Sequence, residues 1–257
     1  MKITSDLVFF ITGGASGLGE ATVRELHALG AKIAIADFNE ERMELIKNEL
    51  KERVITIKCD VTLESDVKAA VDKTVAHYGT IHAALACAGV AFVTQTIAKN
   101  GASLDTKLFI KNTEINVFGS IYVAKYCAVV MSKNKALNDK GEKGVIMFVS
   151  SVAAEEGQRG QVAYSATKGA INGIVLPMAR DLGRYGIRVA SIAPGIFETP
   201  LSHAMPEGVR KRLNADTALN RMGQPEEFAN FVKSIIENSY ITGVNLRIDG
   251  GVKFSNL

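Results

Sequence analysis

The chain has 257 residues, 47% of them hydrophobic and 22% charged, which gives ample material for a core and excludes a disordered or coiled-coil chain. Lys and Arg exceed Asp and Glu by only 30 to 27, and the charges are scattered, so a nucleic-acid partner is unlikely to be what the sequence encodes. Cys59, Cys87 and Cys127 lack C-x-x-C spacing, so neither a disulfide framework nor a zinc site is expected, and the metal expectation is none.

In chain order, Leu7 to Ile11 reads as a first strand. It is too short for a signal h-region and has no cleavage site, so the expected address is cytoplasmic. Further short apolar runs follow at Lys32 to Ala36, Val54 to Lys58, Ala83 to Ala86, Val145 to Val149, Arg188 to Ala193 and Val244 to Ile248. Between the third and fourth, Val67, Ala70, Val71, Thr74, Val75 and Tyr78 repeat at the spacing of one buried helix face. Strands alternating with such helices form right-handed βαβ units and a parallel sheet covered on both faces. The expected architecture is α/β: a single doubly wound Rossmann domain over residues 1–257 with a seven-stranded parallel sheet. The longest nearly apolar run, Ala83 to Val93, is short of the roughly 18 residues a membrane helix needs, so no membrane partner is expected. Thr94 to Lys111 and Ser132 to Gly144, rich in polar and turn residues, read as surface insertions. Phe197 to Gln224 is long for a connection and reads as a substrate lid.

Several residues stand where chemistry is done. Thr12-Gly13-Gly14-Ala15-Ser16-Gly17-Leu18-Gly19 follows the first strand and opens a helix, so its backbone can approach a pyrophosphate at the helix N-terminus. The second strand ends at Asp37, about 20 residues past the glycines, where a carboxylate accepts from adenosine ribose hydroxyls; capping the next helix is its structural alternative. No Lys or Arg stands at Ala15, Ser16, Ala36 or Phe38 to offset the repulsion of a 2′-phosphate, so NAD is expected over NADP. Asp60, after the third strand, faces the adenine or begins a turn. Tyr164 and Lys168 stand at i and i+4 on one helix face, where a neighbouring ammonium brings a phenol pKa down toward neutral pH. Such a pair is common by chance. Ser151, thirteen residues upstream at the exit of the Val145 to Val149 strand, gives the pair its significance; Ser150 is its adjacent rival. His27, His77, His82 and His203 lack partner spacing and read as surface or core residues.

Taken together, Thr12 to Gly19, Ala88-Gly89, Asn116, Ser151, Tyr164 with Lys168, and Pro194-Gly195 with Thr199, in that order, resemble the short-chain dehydrogenases/reductases over essentially the whole chain. The resemblance implies that Tyr164 transfers the proton and that Lys168 lowers its pKa and holds the nicotinamide ribose. It also implies that Ser151 hydrogen-bonds the substrate oxygen and that Asn116 supports a water relay behind the lysine. Gly13, Gly17, Gly19, Asp37, Asp60, Gly89, Pro194, Gly195 and Thr199 become cofactor contacts. One departure is that the family's Asn-Asn-Ala-Gly is Ala86-Cys87-Ala88-Gly89 here, which removes two side-chain amides.

Ser151-Val152-Ala153-Ala154, Glu156-Gly157-Gln158, Ala179-Arg180-Asp181-Leu182 and Ile192 to Phe197 resemble more closely the branch of that family acting on 3-hydroxyacyl-CoA. This implies Ser16, Leu18, Val61, Cys87 and Phe197 as further cofactor contacts, a homotetramer, a mitochondrial address and an acyl-CoA substrate, with steroid alcohols turned over more slowly. Arg210-Lys211-Arg212 in the lid either attracts coenzyme A phosphates or is a solvated face. The alternatives weighed are a 3-oxoacyl-carrier-protein reductase, disfavoured by Asp37, and a catalytically idle Rossmann scaffold or regulatory subunit, disfavoured by the presence of both Tyr164 and Lys168.

Overall fold

A computed structural model describes residues 1–253. Among them, seven strands form one parallel sheet: β1 (Val8–Thr12), β2 (Lys32–Asp37), β3 (Val54–Lys58), β4 (Ala83–Ala86), β5 (Gly144–Val149), β6 (Ile187–Pro194) and β7 (Val244–Ile248). Their order is β3-β2-β1-β4-β5-β6-β7. Every expected strand is present, with ends displaced by at most one residue. All five residues of β1 and all eight of β6 are buried, as required of strands covered on both faces.

Alternation along the strands sends side chains into two cores. Phe9, Ile11, Ile33 and Ile35 pack with Val23 and Leu26 of α1 (Gly17–Ala28), Met43 and Ile46 of α2 (Glu40–Leu50), and Phe228 and Val232 of α9 (Pro225–Glu237). Phe10, Ala34, Ile146 and Phe148 face the other way. They meet Val67 and Val71 of α3 (Glu64–Tyr78), Val123 and Cys127 of α5 (Gly119–Ser132), and Ile171 and Val175 of α6 (Val162–Gly183). Each large side chain so buried contributes about 1.5–3 kcal/mol. The expected face of α3 is the buried one, with Val67, Ala70, Val71 and Thr74 inside.

The strand order reverses between β1 and β4, so a crevice opens at the carboxyl ends of the central strands. Thr12, Asp37, Lys58, Ala86, Val149 and Pro194 are the last residues of their strands, and nearly all the motif residues lie just beyond them.

The connections depart from expectation in three places. The Thr94 to Lys111 segment is an insertion only in its first part, pinned by an Ile97–Ser103 bridge. Its end begins α4 (Thr106–Thr113), because the Asp105 side chain caps that helix by accepting from the Lys107 amide. α4 continues through a π-helical stretch, Glu114–Phe118, into α5, so Thr106–Ser132 is one helix, with an 18-residue window of mean hydropathy 1.4. By length and composition it is apolar enough to cross a bilayer, although no uninterrupted apolar run marks it. Its α5 half packs Val123, Ala124, Cys127 and Met131 into the core. The Phe197 to Gln224 segment holds two short helices, α7 (Pro200–His203) and α8 (Glu207–Ala215), and its ends are held together by a bridge between Phe197 and Gly223.

The third departure is that the loop between α5 and β5 carries a buried charge. The Glu142 carboxylate, 5% exposed, accepts from Arg188 Nε of β6 at 2.7 Å. The rest of that guanidinium donates to the carbonyls of Ile235, Ile236 and Ile241, fixing the end of α9 against the sheet. Replacing Arg188 by Met leaves Glu142 only the Met1 ammonium and the Asn138 amide as partners and removes a donor from three carbonyls, of which Ile236 keeps Met1. We expect a loss of about 1–3 kcal/mol in denaturant unfolding; a loss within experimental error of zero would show that solvent reaches the pair.

Candidate active site

The glycine turn connects β1 to α1 without an inserted residue to spare. Gly13 has φ +66°, and a Cβ there would lie 2.7 Å from the Ala88 amide nitrogen, while one on Gly19 would lie 2.2 Å from the Gly13 carbonyl oxygen. The loop is therefore close-packed against the segment after β4, and the start of α1 lies flat on it. Ser16, the N-cap of α1, makes no side-chain capping bond, so the helix presents uncapped N–H groups toward the crevice.

That crevice is a cleft of about 950 Å³, within the usual range for a ligand site. Gly13, Ser16, Gly17, Leu18, Asp37, Asp60, Val61, Cys87, Gly89, Ser151, Tyr164, Lys168, Pro194, Gly195, Phe197 and Thr199 all line it. Gly19 and Asn116, among the residues singled out from sequence, do not. Gly19 serves the packing of α1 on the turn. Asn116 stands behind the wall: its Oδ1 accepts from the Val90 amide at 2.9 Å, and its Nδ2 donates to the Val90 carbonyl and to Thr167 Oγ1. It thus clamps the loop after β4 to α6 from within the π-helical stretch, and its own carbonyl accepts from Ser120 Oγ at 2.7 Å.

At one end of the cleft lies Asp37. Its Oδ2 accepts from the Ala15 amide at 3.1 Å and its Oδ1 from the Asn39 amide at 3.0 Å. The capping alternative is excluded, since the Asn39 side chain caps α2 by accepting from the Arg42 amide. Asp60 begins a turn, its Oδ1 accepting from the Thr62 amide and hydroxyl, and it lines the cleft.

At the other end, β5 and α6 bring Ser151, Tyr164 and Lys168 together. Both Ser150 and Ser151 line the cleft, but the buried Ser150 hydroxyl is spent on the Lys168 carbonyl, to which it donates. Ser151 Oγ accepts from the Ala153 amide and stands beside the Tyr164 phenol, whose pKa it lowers. Lys168 Nζ donates to the Val149 carbonyl at 2.8 Å and stands over the Tyr164 ring, 5.6 Å from its centre. The expected fall of the phenol pKa does not follow from this arrangement. Burial pushes Tyr164 above its ordinary value and only the Ser151 hydrogen bond opposes that. Burial also draws the lysine down to about 8, and the Cys87 thiol, beside it, is pushed up to about 12 for the same reason.

The lid residues divide. Phe197 packs edge-to-face on Phe228, and Thr199 caps α7 in a reciprocal pair with Ser202. None of Arg210, Lys211 and Arg212 lines the cleft: Arg210 pairs with Glu198 and Lys211 with Glu207, so the run is a compensated surface. The cations that do line the cleft, besides Lys168, are Lys107 and Lys111 of α4. Their i, i+4 spacing would have shown them on one face had α4 been read as a helix. Gln158 of the Glu156-Gly157-Gln158 stretch also lines it, as do Gln161 and Met205, which carry no motif. Of the four histidines, none lines it; His82 accepts from the Val8 amide.

Comparison with known proteins places this geometry. A sequence model of the family described as enoyl-(acyl carrier protein) reductase matches residues 13–253. The chain belongs to the short-chain dehydrogenase/reductase family. It is 40% identical over 248 residues to the 3-hydroxyacyl-CoA dehydrogenase type-2 of Drosophila melanogaster, covering 96% of this chain and 97% of that one. The crystal structure of a 3-hydroxyacyl-CoA dehydrogenase type-2 from Mycobacterium avium superposes with a TM-score of 0.92 at 33% identity, over 100% of both chains. A 3-ketoacyl-(acyl-carrier-protein) reductase from Brucella melitensis, solved in complex with NADH, superposes at 0.85 with 26% identity, over 95% and 97%. As a member of this family the chain is an oxidoreductase acting on a small molecule.

The burial of Lys168 has a measurable consequence. Its folded pKa, about 8, lies below the ordinary 10.5, so the unfolded chain holds the extra proton between those values and stability rises with pH across that window. Lys168→Met is expected to stabilise the ligand-free protein at pH 7 by about 1–3 kcal/mol, with the gain shrinking toward pH 10 in urea titrations. A destabilised Met variant at pH 7 would show that the bond to Val149 outweighs the burial of charge.

Proposed function

We propose that the chain is an NAD-dependent dehydrogenase interconverting a secondary alcohol and a ketone, with a 3-hydroxyacyl-CoA as its substrate. The observation that carries this reading is one continuous cleft with two ends. Asp37 and the uncapped start of α1 lie at one, and Ser151, Tyr164 and Lys168 converge at the other. The first end fits a dinucleotide: the helix N–H groups suit a pyrophosphate and Asp37 suits a ribose diol. Bound there, NAD would supply a hydride acceptor, which the side chains do not provide, and a positive charge in addition to that of Lys168.

The chain's own part is proton transfer and orientation. Ser151 and Tyr164 present two hydroxyls to one substrate oxygen. Tyr164 takes the proton from the alcohol as the ketone forms, and Ser151 holds the oxygen through a hydrogen bond that strengthens as charge builds on it. Lys168 holds its ammonium close behind the phenol through the Val149 carbonyl, where it favours the phenolate once a second positive charge enters the cleft. Gly13, Ser16, Leu18, Asp60, Val61, Cys87, Gly89, Gly195, Phe197 and Thr199 line the channel along which the cofactor lies. Asn116 keeps the loop after β4 in place.

The acyl-CoA substrate is supported by the named activity of the relatives and by Lys107 and Lys111, which give the cleft mouth the positive charge a phosphorylated ester calls for. Slower oxidation of steroid alcohols and a mitochondrial address belong to the same reading by resemblance. A homotetramer is supported by apolar side chains left exposed on the outward faces of α5 and α6, among them Val129, Val162 and Leu176.

Tyr164→Phe removes one hydroxyl and should lower the oxidation rate of a 3-hydroxyacyl-CoA, followed by NADH absorbance, by at least about 100-fold while NAD binding is kept. Ser151→Ala should lower it by roughly 10- to 100-fold. Substantial turnover by a folded Tyr164→Phe protein would end the mechanism; a wild type that ignores acyl-CoA but oxidises other alcohols would end the substrate assignment alone. We also expect NAD to be used over NADP by at least about tenfold, which needs only ~1.4 kcal/mol, and Asp37→Ser to narrow that gap. Equal use of both by the wild type would free Asp37 from this role.

A further inference from the structure

Neither the glycine turn at Ala15 and Ser16 nor the neighbours of Asp37, Ala36 and Phe38, carry a cation. The fold brings one from a helix turn away. Arg42 of α2 donates from Nε to the Ala15 carbonyl at 3.3 Å, while the Asp37 carboxylate accepts from the amide of the same residue. A guanidinium and a carboxylate thus hold the two ends of Ala15, a residue that lines the cleft. The guanidinium is not at liberty. Its second amino group donates to Glu20 Oε2 at 2.6 Å, and Glu20, 16% exposed, spends its other oxygen on Arg24, which in turn pairs with Glu49.

We propose that Arg42 is a latent receptor for an anionic group on the adenosine ribose, silenced by Glu20. Discrimination against a 2′-phosphate then rests on two carboxylates: Asp37 repels the anion, and Glu20 neutralises a cation held against Ala15 that could attract it. A bidentate guanidinium is the group best suited to a phosphate, and a cation already matched by a carboxylate has little attraction left for a second anion. This rests on the reading that the Asp37 end of the cleft takes an adenosine. It explains why removing Asp37 alone should narrow the preference for NAD without inverting it.

The test is calorimetric binding of two fragments, AMP and adenosine 2′,5′-bisphosphate, to the full chain, with thermal melts as a check on folding. Asp37→Ser should raise bisphosphate affinity by about threefold, and Asp37→Ser with Glu20→Gln by about a further tenfold, equivalent to ~1.4 kcal/mol. Adding Arg42→Leu should erase the second gain while AMP affinity holds within about twofold. If Gln at position 20 unfolds the protein, Glu20→Asp, which withdraws the carboxylate by one methylene, takes its place with the same expected direction. Equal bisphosphate affinity with and without the Glu20 change, or a gain that survives Arg42→Leu, would overturn the proposal and leave the NAD reading standing. A wild type that binds neither AMP nor NADH would overturn both.

Discussion

The hydrogen bond from the Lys168 ammonium to the Val149 carbonyl joins α6 to the carboxyl end of a central strand, and the site depends on it. Buried ammonium groups are costly unless their protons are received. A strand's last carbonyl, just past the point where the sheet pairing ends, is an acceptor the fold leaves available. The bond sets the height of α6 on β5, and with it the position of Tyr164 one turn earlier relative to Ser151 just beyond the strand. Ser150, on the same segment, reinforces the joint by donating to the Lys168 backbone. Two adjacent serines therefore have separate tasks: one fastens the helix and the other stands beside the Tyr164 phenol.

The sheet was legible because parallel strands buried on both faces must be short continuous apolar runs, and seven such runs stand in the sequence. The cleft was legible for a related reason: residues that follow those runs are brought to one edge by parallel pairing, so Asp37, Cys87, Ser151 and Gly195 converge although they are far apart in sequence. What escaped reading was set by contacts between segments. The π-helical stretch at Asn116 departs from regular helical periodicity where the Asn116 amide engages Val90 and Thr167. Glu142 looked like one more charge in a polar loop, and only the approach of Arg188 from β6 makes it part of the core. The run Arg210-Lys211-Arg212 left an anion site and a solvated face open, and the pairing of Arg210 with Glu198 and Lys211 with Glu207 decides for the face.

The adenosine end shows the same division. Asp37 could be found by its distance from the glycine turn, because the βαβ unit fixes that distance. Arg42 could not, since its place beside Ala15 depends on how α2 packs against the start of α1. The glycine turn and the strand end carry no cation of their own, whereas a ligand meets charges that other elements bring across to it. Glu20 then reverses the significance of what that packing brings in.

The two ends of the cleft differ in how complete they are. Asp37 has two backbone N–H partners and a fixed orientation in the chain alone, so the adenosine end is organised before anything binds. The reactive end is not: burial raises the phenol's pKa and lowers the lysine's, so the Lys168 ammonium does not by itself bring the phenol into range. On the proposed reading the oxidised cofactor would add a second positive charge to the cleft, so that proton removal from the alcohol is favoured when the hydride acceptor is in place. The burial that raises the phenol pKa thereby ties proton transfer to cofactor occupancy.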